Sequence, residues 1–286
     1  MSSGRRHAVP LPAEIRPGQS IELLQELHIL TRDGKLNQDS RRKLKQVYHL
    51  YQFIEPLLVQ SIAEHGSVQL ADIGAGKSYL GFILYDLFFK ARDDASHVYG
   101  IEARHELVEK SAVLARELGY TRMSFLGSTV ADALAAPQLP DTLDLVTALH
   151  ACDTATDDAI RFALTKQARF IVLVPCCQAE VAAVLRKRKG AALGEPMTEV
   201  WRHPLHTREF GSHITNVLRC LQLEAHGYQV NVTELVGWEH SLKNELIIAS
   251  FKDLPRARPA KRLHELLEKV GITELRERFF AVQPRL

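Results

Sequence analysis

The stretch QLADIGAGKSYL, Gln69–Leu80, decides the fold. An apolar run carries Asp72 near its end, Gly74 and Gly76 follow, and Leu80, Ile83, Leu84 and Leu87 then recur at helical spacing. This is a strand, a glycine loop and a helix. Glycine lets backbone approach a ligand, and a helix start offers N–H groups that the helix itself does not use. Outward from this unit the alternation repeats. Further strand-like runs are HVYGIEA, MSFLGS, LDLVTALHA, ARFIVLVPC, YQVNVTELV and NELIIASF, and helix-period segments separate most of them. Such alternation predicts an α/β fold with a mostly parallel sheet covered on both faces. Only the GWEHSLK stretch lies between the last two runs, too little for a parallel crossover, so they are expected to pair antiparallel as a hairpin.

The chain has 286 residues, 46% hydrophobic and 24% charged. These are ordinary globular values and exclude disordered, collagenous and coiled-coil classes. No apolar run reaches the roughly 18–20 residues of a membrane span, and the start, MSSGRRHAVP, has no apolar core after its arginines. Cys176 and Cys177 are adjacent, which suits reduced thiols and a cytoplasmic location. The expected organisation is an N-terminal arm and lead-in helix over 1–65, a ligand-binding domain over 66–252 and a helical tail over 253–286. The arm is read as loose, with one short helix near Ile21–Leu30. The lead-in helix follows from Leu44, Val47, Tyr51, Ile54 and Leu58, and is expected to pack on the next domain. Net charge is +2, yet residues 1–50 and 252–286 each carry nine Lys/Arg against five Asp/Glu. Arg186, Lys187, Arg188 and Lys189 add a basic cluster. Such local patches suit a polyanion or are solvated helix surface.

The glycine loop has two readings. In one, Ala71 to Gly76-Lys77-Ser78 is a permissive phosphate-binding P-loop. In the other, it is the Asp-x-Gly-x-Gly loop of enzymes that bind S-adenosylmethionine (SAM). A P-loop begins its wrap at a glycine, and here Ala71 stands among strand-like residues. Asp72 would repel a triphosphate but suits the ammonium group of SAM. The second strand ends at Glu102, placed to accept from both ribose hydroxyls. Asp72, Gly74 and Gly76 are therefore assigned to the methionine end and Glu102 to the ribose. Gly127 and Ser128, at the end of the third strand, are expected beside the adenine, unless Ser128 or Thr129 caps the next helix. Leu149, ending the fourth strand, completes the cofactor set. Lys77 and Ser78 become first-turn helix residues without catalytic duty.

Strand four runs into His150, Cys152 and Asp153, and strand five into Cys176 and Cys177. In a doubly wound sheet the carboxyl ends of strands face the ligand crevice, so these residues are expected to converge. Several chemistries stay open. His150 or Asp153 could orient or deprotonate an acceptor. Cys176 or Cys177 could attack C6 of a pyrimidine. His150 and the three cysteines could bind zinc, although neighbouring strand residues face opposite ways and the spacing is not a usual knuckle. The cysteines could also be small buried residues.

LADIGAGKSYL, LHACDTATDDAI and VPCCQ together resemble a family of class I, Rossmann-like methyltransferase-domain proteins. Its marks are Asp-x-Gly-x-Gly-Lys, Leu-His-Ala-Cys and a Cys-Cys pair, and it is related to tRNA acceptor-stem 2′-O-methyltransferases. The resemblance covers about residues 41–250, with Asp153 and Gln178 where the family commonly has Gly and an aromatic or His. It implies a seven-stranded sheet ending in an antiparallel hairpin, SAM as cofactor, and methyl transfer to RNA. Protein or small-molecule methylation and nucleotide binding are the alternatives. His213, Asn216 and Arg219 are spaced to share one helix face that could bind phosphate, and Trp238, Glu239, His240, Lys243 and Asn244 form the hairpin turn, which could close over the acceptor.

Overall fold

The computed structural model describes residues 12–149, 151–175, 178–188, 194, 197–235, 245–280 and 282. Seven strands form one sheet: β1 (Gln69–Ile73), β2 (His97–Glu102), β3 (Met123–Gly127), β4 (Leu145–Leu149), β5 (Phe170–Val174), β6 (Tyr228–Glu234) and β7 (Glu245–Phe251). Their spatial order is β3-β2-β1-β4-β5-β7-β6. β1 pairs parallel with β2 and β4, β2 with β3, and β4 with β5. β7 runs antiparallel between β5 and β6, as the short connection requires. Each predicted strand is present, and the fold is Rossmann-like with the expected terminal hairpin.

Side chains along β1 alternate between faces. Leu70 packs with α2 (Gln38–His65) and α3 (Tyr79–Leu84) on one side, while Ala71 and Ile73 face α6 (Thr154–Thr165) on the other. The lead-in helix α2 buries Leu44, Val47, Leu50, Tyr51, Ile54 and Leu58 in the first of these cores. Its carboxyl end is tied to the amino ends of the strands: Glu64 pairs with Arg169 just before β5, and His65 lies 2.7 Å from Asp144 just before β4. A helix of 28 residues spans about 42 Å and a five-residue strand about 17 Å. The first turns of α2 form the end of this long helix away from those amino ends.

The described part of the arm is not loose. Helix α1 is shorter than expected (Ile21–Glu26), and Leu23, Leu24, Ile29 and Leu30 are buried in the same core as α2. The Ser20 amide donates to buried Asp86 (3.0 Å), which also accepts from the Tyr120 hydroxyl at 2.7 Å. Four apolar residues without a sustained period are enough to anchor a segment when a core groove receives them. Helices α4 (His105–Glu117) and α5 (Val130–Ala133) follow β2 and β3. The tail is equally integrated. Leu263, Leu267 and Val270 of α9 (Ala257–Val270) pack with Val181 and Leu185 of α7 (Glu180–Arg188) and with Leu218 and Leu221 of α8 (Pro204–Glu224). Phe279 of α10 (Arg276–Phe279) joins them. No helix among the described residues is long and apolar enough to cross a membrane.

Helices α7 and α8 meet at Gly211. A Cβ there would lie 2.6 Å from the Ala182 Cβ and 2.8 Å from its backbone nitrogen, and backbone cannot swing aside. Gly211→Ala should therefore cost about 1–3 kcal/mol of stability by overpacking, read as a lower denaturation midpoint at unchanged slope.

Candidate active site

The carboxyl ends of β1 and β2 are tied through one carboxylate. Gly74 (φ 63°) and Gly76 (φ 59°) turn the chain in the left-handed region, which only glycine enters cheaply. The Gly76 amide donates to Glu102 Oε2 at 2.8 Å, and the Ala75 amide donates to the Ile101 carbonyl at 3.0 Å. Glu102 ends β2 and is nearly buried. Its Oε1 also accepts from the Arg104 amide (3.0 Å) and from Arg104 Nε (2.8 Å). The guanidinium beside it, helped by these amides, holds the Glu102 carboxyl below its ordinary range against a smaller opposing effect of burial. Arg104 itself is largely exposed, with its guanidinium 3.8 Å from where a Gly76 Cβ would stand. Sequence reasoning missed Arg104; its place two residues after the acidic strand end was the available signal.

Asp72 lies beneath the loop rather than in the open. It faces the α3 side, is almost fully buried, and its Oδ1 accepts from the Thr147 hydroxyl of β4 at 2.8 Å. Burial pushes its carboxyl up to about 7, against the opposing hydrogen bonds from Thr147 and the Gly81 backbone. Thr147 was also missed, although a lone polar residue inside the apolar run LDLVTALHA was visible. Lys77 is exposed in the turn, and Ser78 (φ 53°) sits just ahead of α3 rather than in its first turn.

Gly127 ends β3 as the register partner of Glu102. A Cβ on it would fall 2.5 Å from His105 Nδ1, so glycine is required for the ring to lie there. Of the two candidate caps, Thr129 holds α5, accepting from the Asp132 amide at 3.2 Å. Ser128 does not cap, and its buried Oγ has no hydrogen-bond partner among the described residues. Leu149 ends β4, opposite Val174 of β5. The described set fits SAM. Glu102 offers a carboxylate at the tip of β2, Ser128 an unpartnered hydroxyl after β3 and Asp72 a buried acid under the glycine loop, and open space lies beside Gly74.

His150, Cys176 and Cys177 lie outside the described residues, as do Trp238, Glu239, His240, Lys243 and Asn244. Among the described residues no cluster of His, Cys, Asp or Glu is placed to hold a metal. Cys152 is exposed. Asp153 is part-buried, and its Oδ1 accepts from the Ala179 amide (2.9 Å) and the Glu180 amide (3.2 Å) at the start of α7.

The expected phosphate-binding face on α8 is corrected. Asn216 and Arg219 point inward, and Arg219 is fully buried, donating through Nε to Asp157 Oδ1 at 2.8 Å and through Nη2 to Asp157 Oδ2 at 2.9 Å. Only His213 of the three is exposed. Helical spacing does not say which face looks outward, and the partner Asp157 is 62 residues away in sequence. His203 and His206 are exposed with ring centroids 5.2 Å apart.

A family model described as a methyltransferase domain matches residues 42–184, half of the chain. The chain belongs to the methyltransferase-domain family; it is a SAM-dependent methyltransferase, and its cofactor is SAM. No curated protein sequence matches it significantly. Among solved structures, it is similar to a magnesium protoporphyrin IX methyltransferase from Synechocystis with bound SAH. Identity is 16%, coverage 82% of this chain and 96% of that one, and the TM-score 0.45. A precorrin-6y C5,15-methyltransferase from Geobacter metallireducens is 15% identical over 70% of this chain and 88% of that one, with a TM-score of 0.40. Fibrillarin from Aeropyrum pernix, with natively bound SAM, is 12% identical over 64% and 66%, with a TM-score of 0.39.

Two outcomes follow from the two acids. Asp72 binds more protons in the folded than in the unfolded chain between 3.8 and about 7. Stability should fall as pH rises through that window, by at most about 1.4 kcal/mol per pH unit. Asp72→Asn should remove this slope, so thermal midpoints of parent and variant should diverge between pH 5 and pH 7.5 in the variant's favour. Glu102→Gln keeps the shape but loses the charge at the position expected to hold the ribose. Calorimetry should show SAM binding weaker by about 1.5–3 kcal/mol, the worth of a hydrogen bond to a charged group.

Proposed function

We propose that this methyltransferase places the methyl group on RNA. The observation that carries the reading is the position of a basic surface. Arg41, Arg42, Lys43 and Lys45 are all exposed on the first turns of α2, the end away from the amino ends of the strands. Arg41 pairs with Glu14 at 2.8 Å and Arg42 with Asp39 at 3.8 Å, and all four side chains are largely exposed. Exposed pairs contribute only about 0–1 kcal/mol, so phosphate can replace either acid. The second basic cluster is weaker support. Arg186 and Lys187 are exposed, but Arg188 bonds the Gly271 carbonyl and Glu274 of the tail, and Lys189 lies outside the described residues.

Bound SAM supplies an activated methyl on a sulfonium. The chain's own residues have to seat it, orient the acceptor and exclude water, so positioning carries most of the rate. The Gly74–Gly76 backbone and buried Asp72 serve the methionine end, Glu102 the ribose, and Gly127, Ser128 and Leu149 the adenine side. Arg104 must yield or share the Glu102 carboxylate, which its exposure makes cheap. His150 is assigned to orient or deprotonate the acceptor, and Cys176 and Cys177 to frame the methyl.

Radiolabelled SAM offered to extract before and after ribonuclease treatment tests the acceptor. Label should enter nucleic acid and vanish with the RNA; label retained in protein or small molecules would overturn the reading. Reversing the charge of Arg41, Arg42 and Lys43 together should raise the RNA KM and flatten its salt dependence by roughly 0.7 log–log units per lost phosphate contact, with SAM affinity unchanged. An unaltered salt response would make this face plain solvated surface.

A further inference from the structure

We propose that Asp153 and Arg219 are positioning residues that clasp the loops after β4 and β5 into one unit, and that Asp153 is not the base. The inference rests on the methyltransferase reading but not on the choice of acceptor. β4 and β5 are register partners, with Leu149 opposite Val174, so their following loops leave the sheet side by side at the ligand edge. Asp153 ends the first loop. Its backbone has φ 51° and ψ −122°, a conformation that L side chains rarely adopt and that costs about 1–3 kcal/mol. Such strain persists only where the surroundings over-determine it.

They do so here from two directions. The Asp153 side chain makes no hydrogen bond to its own helix, α6. Its Oδ1 instead takes the amides of Ala179 and Glu180 at the start of α7, and so caps the helix that follows β5. Its carbonyl accepts from Arg219 Nη2 at 2.8 Å. Arg219 is held in turn by Asp157 and, through Nη1, by Asn216 Oδ1 at 3.0 Å. The same Asn216 oxygen accepts from Gln178 Nε2 at 3.2 Å, and Asn216 Nδ2 donates to Glu245 at 2.6 Å. Gln178 follows the Cys176–Cys177 pair in sequence and Glu245 opens β7. The network therefore joins the first turns of α6 and α7 and the start of β7 through the middle of α8.

A buried ion pair is a poor source of stability, because desolvation offsets its attraction. It is a good source of fixed geometry when every donor and acceptor is matched. A base must offer a lone pair to the acceptor's proton, whereas this carboxylate spends one oxygen on two amides of a neighbouring loop.

Two variants separate clasp from base, each assayed on whichever extract fraction the parent labels. Asp153→Asn keeps the accepting oxygen, loses the charge and tolerates the backbone; it should keep turnover within about threefold. Asp153→Ala loses the acceptor, and kcat should fall by between about tenfold and a hundredfold while SAM affinity and acceptor KM hold. Amide exchange at Ala179 and Glu180 should speed up in the alanine variant and not in the asparagine one, a readout that needs no acceptor. Equal inactivity of both variants with SAM binding intact would make Asp153 the base and overturn the proposal. Parental turnover in both would overturn it too, as would loss of SAM binding in step with turnover, which would mark a general folding contact. Failure of the RNA reading shows separately, in which fraction the parent labels.

Discussion

A parallel ladder forces its strands to end on the same edge, and the site of this protein depends on that constraint. β3, β2, β1, β4 and β5 all deliver their last residues there, and the chain must then turn into helices whose first amides have no intrahelical partner. The molecule answers with carboxylates that reach across to a neighbouring loop. Glu102, ending β2, takes the Gly76 amide of the loop after β1, and Asp153, after β4, takes two amides after β5. At the opposite edge Asp144 does the same, accepting from the Gln69 amide at 2.8 Å. Acidic residues at strand ends thus join loops that are remote in sequence.

This explains what was legible beforehand. The glycine loop, the seven strands and the closing hairpin are local signals: a run of apolar residues, two glycines, a connection too short for a crossover. Glu102 was legible because its position at a strand tip follows from the strand. The second duty of the same carboxylate, holding Gly76 and Arg104, was not, since it depends on which loop lies alongside. Asp153 was picked out for chemistry by its place after Leu-His-Ala-Cys, yet its bonds run to Ala179 and Glu180, 26 and 27 residues on. Arg219 read as surface because a cation on an amphipathic helix is usually outside. Only the packed structure shows Asp157 waiting for it.

The arm and tail carry the same lesson in apolar form. Leu23 and Leu24 lie in a six-residue helix, too short to display a period, and the core they share with α2 and α3 gives them their burial. In the tail, Leu263 and Leu267 did show a period, but not that the face they form would brace α7 and α8. By docking there, the tail supports the helices that carry the network behind β4 and β5, although its sequence holds no site residue.

Two of the buried acids, Asp157 and Asp72, differ in one respect that bears on the charge of a ligand. Asp157 is matched by Arg219, also buried, so its charge is neutralised inside the protein. Asp72 accepts a hydrogen bond from Thr147 but faces no cation among the described residues, and burial lifts its carboxyl to about 7. A buried carboxylate without a counter-charge is costly to ionise, and a cation arriving nearby returns it to the charged form. That cost lies directly below the glycine loop, where the positively charged cofactor is assigned. The free protein thus holds an acid near the point of titration, and cofactor binding would stabilise its ionised form while the Asp157–Arg219 pair stays unchanged. The internal pair is neutral within the protein; the unmatched acid favours a positively charged ligand.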